Sequence, residues 1–82
     1  MPTVLRHAGF RFVIFPADHR PAHVHAIGQG GEAVFNLRCP KGPPELREVY
    51  GLSRSRVADV RRIVAREIEM LCNAWEVAHG TA

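Results

Sequence analysis

The 82-residue chain has only two cysteines and no CxxC pair, no long apolar run, and no strong excess of one charge. Each shortage excludes something. Cys39 falls in a loop-like stretch and Cys72 inside a helical pattern, which does not make a disulfide framework, so both thiols are expected to stay reduced and unbridged. No apolar stretch approaches the roughly 20 residues needed to cross a bilayer. The opening Met1-Pro2-Thr3-Val4-Leu5-Arg6-His7 lacks the basic start, apolar stretch and cleavage site of a signal peptide. The expectation is a cytoplasmic protein with no membrane partner. There is no internal repeat, no low-complexity segment and no sign of a second domain, so residues 1–82 read as one domain. A formal charge of +3 admits a polyanionic partner such as RNA without requiring one.

What is present is an ordinary globular balance, 46% apolar and 23% charged, which excludes a disordered chain. A domain this short buries a thin core, and self-association or a partner would help it. Thr3-Val4-Leu5-Arg6 reads as a first strand ended by Gly9. Phe10 to Phe15, aromatic and β-branched, is the clearest strand, and Pro16 stops it. His23 to Ile27 makes a third strand. Gly28-Gln29-Gly30-Gly31 makes a hairpin turn, and Glu32 to Leu37 a fourth strand by alternation. These glycines resemble part of a phosphate-binding pattern, but they precede no helix, which argues against a nucleotide cradle. Residues Glu45 to Tyr50 fit a helical turn or an edge strand, with the balance toward strand.

From Ser53 to His79 the apolar residues Val57, Val60, Val64, Ile68, Leu71, Trp75 and Ala78 recur at steps of three and four. Ser55, Arg62, Arg66, Glu69 and Asn73 fall opposite them. Ser53 or Ser55 serves as N-cap, Asp59 sits in the first turn and Gly80 ends the helix. A straight helix of about 26 residues spans roughly 39 Å, against about 20 Å for a six-residue strand. It would overhang the sheet and leave an end for a second copy, hence the expectation of a homodimer. The fold class is α+β: a small antiparallel sheet of four or five strands with one long C-terminal helix packed on one face.

The chemistry-bearing residues cluster in Asp18-His19-Arg20-Pro21-Ala22-His23-Val24-His25. His23 and His25, two apart on a strand, project from one face. With Val24 turned toward the helix, both fall on the face that the helix leaves open. Arg11 joins them if Phe10, Phe12 and Ile14 face the helix, and Arg6, Glu32 and Asn36 join if the register allows. Three readings stand. In the first, Asp18 and His19 cap a turn and the histidines are merely exposed. In the second, the HxH pair with His19 or Asp18 ligates a metal. In the third, His23 and His25 act as acid and base, with Arg11 or Arg20 holding an anion and no cofactor required.

An opening Met1-Pro2-Thr3 with Arg6, then Phe15-Pro16-Ala17-Asp18-His19-Arg20-Pro21-Ala22-His23-Val24-His25, Gly31-Glu32-Ala33 and Asn73-Ala74-Trp75, resemble the bacterial family known as domain of unknown function 4160. The resemblance covers nearly the whole chain and rests on an Asp-His-x-Pro-x-His-x-His core. The loop from Cys39 to Pro44 departs from it by its prolines. The resemblance implies a component of a toxin–antitoxin-like two-gene module, and the placing of the two histidines adds the expectation that it acts on or binds RNA or a cognate small protein through the His23/His25 face. In the enzyme version, cleavage is metal-independent, with His23, His25 and Arg11 catalytic and Asp18, His19, Arg20 and Arg6 binding. A non-enzymatic protein-binding module and a small metal-binding protein are the alternatives.

Overall fold

Two tight turns organise the sheet. In the computed structural model, which describes residues 3–80, strand β1 (Thr3–His7) returns as β2 (Phe10–Val13) through Ala8 and Gly9 at φ 55° and 82°. Strand β3 (His23–Gly28) returns as β4 (Gly31–Asn36) through Gln29 and Gly30 at φ 54° and 84°. Two central residues with positive φ define the hairpin turn whose twist matches that of the flanking strands. The glycine pattern therefore serves the backbone. A Cβ on Gly28 would collide with the Gly9 carbonyl, and one on Gly31 with the Tyr50 carbonyl. The ambiguous segment is strand β5 (Glu45–Tyr50), and the sheet runs antiparallel in the order β1-β2-β3-β4-β5. Met1 and Pro2, part of the family resemblance, lie outside the described residues.

The register sorts the two faces. Leu5 stands opposite Phe12, Phe12 opposite Ala26, and Ala26 opposite Ala33, while Val24 faces Phe35. These side chains are buried with Val60, Val64, Leu71 and Trp75 in one hydrophobic cluster, apart from the partly buried Leu5. Full burial of a valine, leucine or phenylalanine in this cluster contributes about 1.5–3 kcal/mol. Arg11, Ile27 and Glu32 form a cross-strand row on the other face, followed by a row of Val13, His25 and Val34.

Ser53 caps the helical region, its side chain accepting from the Arg56 N–H at 3.2 Å. The single long helix expected from the periodicity is instead two, α1 (Arg54–Arg66) and α2 (Ile68–His79), meeting at Glu67. Hydrogen bonds still run from Glu67 N to Ile63 O and from Leu71 N to Glu67 O, so the break is a bend. A straight helix of about 39 Å would outreach the whole molecule, whose longest extent is 33 Å. Bending keeps both apolar stripes on the core. Ala78 is exposed, and Asp59 lies beyond the first turn, where it pairs with Arg56 and Arg62.

The cysteines correct the expectation of free thiols. Cys39 and Cys72 form a disulfide across 33 residues, their Cα atoms 5.8 Å apart. Sequence spacing carries no trace of this pairing, because the chain reversal through β5 and α1 is what brings the loop after β4 onto α2. Arg61 reinforces the same junction, lying over the Phe35 ring at 5.2 Å and donating to the Pro44 carbonyl at 3.4 Å. Among the described residues, no helix is long and apolar enough to cross a membrane.

Candidate functional site

The loop between β2 and β3 folds back across the sheet. Its turn is closed by a hydrogen bond from Asp18 N to Phe15 O at 3.0 Å, and the Phe15 N–H donates in return to Asp18 Oδ2 at 3.1 Å. That mutual pairing aims the Asp18 carboxylate at the start of β3. At the other end the loop is pinned by Leu37 N donating to Ala22 O at 2.9 Å.

His23 and His25 stand beneath this carboxylate. Their rings meet edge to face at 5.2 Å between centroids. Strand parity puts them side by side, but the face is not open. His23 is only 5% exposed and packs against Trp75 of α2, while Phe15 covers His25 edge-on at 5.0 Å. The expectation of two exposed histidines is corrected here: the returning loop and α2 close over them.

The second nitrogen of each ring is occupied. His23 Nδ1 lies 2.8 Å from the Pro21 carbonyl, and His25 Nδ1 lies 2.8 Å from Glu32 Oε2. A carbonyl or a carboxylate only accepts, so both Nδ1 atoms carry the hydrogen. In the neutral rings, both Nε2 lone pairs then face Asp18 Oδ2, at 3.4 Å from His23 and 3.2 Å from His25. The His25 contact lacks hydrogen-bonding geometry, leaving its buried Nε2 without a hydrogen-bond partner among the described residues. Three electron-pair donors thus converge within 4.8 Å of one another. A metal cation between them would give all three a common partner. Bonds of about 2.0–2.2 Å at a tetrahedral centre separate ligand atoms by roughly 3.4 Å, close to the separations of both Nε2 atoms from Asp18.

The other candidate residues divide. His19 and Arg20 line the same cavity of about 240 Å³ as Asp18, His23 and His25. Arg11 does not. It stands opposite Ile27, one row away, and donates to Thr3 Oγ1 at 3.4 Å. Arg6, opposite Arg11 on β1, is farther still. Three contributors escaped the sequence reading of the site: the Pro21 carbonyl, Trp75 as a wall, and Arg47 of β5 on the cavity rim. Glu32 was legible only as one of several residues on a shared face, since its bond to His25 depends on register.

No curated protein and no solved structure matches the chain. A family model does match, over residues 9–76, a span that takes in the Asp18-to-His25 core, Glu32 and Trp75. The protein belongs to the family described as domain of unknown function (DUF4160).

Proposed function

We propose that this protein binds one divalent transition-metal ion through Asp18 Oδ2, His23 Nε2 and His25 Nε2. The observation that carries the proposal is the convergence of those three atoms while each imidazole is already anchored through Nδ1 to an oxygen. A metal-ligating histidine commonly donates its other ring N–H to a carboxylate or a backbone carbonyl, which sets the tautomer and the ring orientation. Here one histidine has each kind of anchor. Two histidines and a carboxylate suit zinc or ferrous iron, and three protein ligands leave coordination positions open.

The reading as one component of a toxin–antitoxin-like module, binding RNA or a cognate protein at this face, is compatible with such a centre. What supports an anionic partner is the rim of His19, Arg20 and Arg47. Metal-free cleavage by His23 and His25 has less support. His23 is buried with its Nδ1 committed to Pro21, and Arg11 lies outside the cavity.

The test is metal uptake. Protein stripped with chelator and dialysed should take up one equivalent of zinc or cobalt(II) in a calorimetric titration. His23→Ala, His25→Ala and Asp18→Ala should each abolish stoichiometric uptake while the circular dichroism spectrum is retained. Folded wild-type protein that takes up neither ion would overturn the proposal. RNA cleaved in the presence of chelator would restore the metal-free reading.

A further inference from the structure

Resting on that metal centre, we infer that its open position receives a phosphate group held by Arg47. The register of β4 against β5 slips between Val34 and Phe35: Val34 stands opposite Glu48, yet Phe35 stands opposite Leu46. Arg47 is the residue left over, the extra member of a β-bulge. A bulge bends its strand locally and re-aims the side chain it carries. The Arg47 side chain lines the cavity that also contains Asp18, His19, Arg20, His23 and His25.

Arg47 has no hydrogen bond or ion pair among the described residues. Its neighbour Glu48 lines the same cavity but accepts instead from the Tyr50 hydroxyl at 2.8 Å. A guanidinium without a carboxylate partner beside a candidate metal is a free planar fork of donors, the geometry that matches two oxygens of one oxyanion. The local charge favours an anion too. A divalent ion with Arg20 and Arg47 carries one more charge than Asp18, Glu32 and Glu48 together, and that positive charge remains over for the ligand. One unesterified phosphate oxygen would occupy the open metal position and a second would meet the guanidinium, a pair that both a free phosphate and a diester supply. The cavity of about 240 Å³ admits a phosphate group or a phosphodiester link of a flexible chain, and no folded partner. The ligand class is therefore a phosphate, free or as a diester.

Cobalt(II)-loaded protein tests this by its visible absorption spectrum, titrated separately with inorganic phosphate, dimethyl phosphate and acetate. Phosphate should perturb the spectrum saturably, and dimethyl phosphate doing the same would identify the diester as a source. Arg47→Gln should hold one equivalent of cobalt(II) as before but bind phosphate about tenfold or more weakly, the usual effect of losing a charge-assisted hydrogen bond. Arg47→Lys should recover part of that loss. Phosphate without spectral effect on loaded wild-type protein, an Arg47→Gln variant that binds phosphate normally, or acetate binding as tightly as phosphate would each overturn the inference and leave the metal centre standing. Failure to take up cobalt(II) at all would overturn both.

Discussion

The Trp75 indole lies 5.3 Å from the His23 imidazole, centroid to centroid, and stacks with His79 at 3.8 Å. One residue of α2 is thus both a core anchor, 1% exposed, and a wall of the candidate site. Stability and site geometry are coupled through it.

Trp75→Ala should therefore cost about 3–5 kcal/mol, the range for emptying a buried aromatic position. That is a large share of the stability of a domain this small. Urea denaturation measures it, and a midpoint equal to that of wild type would show that the indole is not a core anchor. Trp75→Phe, which keeps an aromatic ring against His23, should cost less.

Glu32 touches His25 but is not among the three converging ligands. Glu32→Ala should leave the fold intact, because its side chain is one-third exposed. It should weaken zinc binding by roughly 10–100-fold, the usual effect of removing an outer partner of a ligating histidine. An unchanged dissociation constant would show that the carboxylate does not orient the ring.

The Cys39–Cys72 bridge closes a loop of 33 residues. Loop entropy then predicts that reduction destabilises the protein by about 3–4 kcal/mol. Denaturation with and without reductant should show that loss, and Cys39→Ser should reproduce it in the absence of reductant. Cys72→Ser should cost more, since its hydroxyl would be buried at a position now only 7% exposed. Identical midpoints in both conditions would mean that the two sulfurs are not bonded in solution.

Tyr50 gives a pH signature. Its hydroxyl donates to the Glu48 carboxylate, and that hydrogen bond, with the nearby negative charge, raises the phenol above its ordinary value of 10.0. A group raised on folding contributes stability that is present below its unfolded pKa and lost as pH rises through the folded one. The stabilisation should therefore fade in the alkaline range above 10.0. Ultraviolet titration of the phenolate should show Glu48→Gln lowering the midpoint, and an unshifted midpoint would rule out the contact.

The local order of this protein was legible in its sequence because local physics decides it. Aromatic and β-branched runs marked the strands, Gln29-Gly30 marked the turn, and steps of three and four marked the helical stripe that buries Val60, Val64, Leu71 and Trp75. Strand parity placed His23 and His25 side by side, since side chains two apart share a face regardless of what surrounds them.

Tertiary structure decided everything that depends on what lies across from a residue. The bend at Glu67 has no proline or glycine to announce it. Cys39 and Cys72 are neighbours only after the chain has reversed. Asp18 became the partner of both histidines, rather than His19, because its turn with Phe15 aims its carboxylate back over β3. Arg47 reached the cavity through a one-residue slip in register, and Arg11, on the regular strand, did not. Residue types and their alternation are encoded along the chain, while register, loop return and bulges are set by the packing of distant segments. The site is built from the second set.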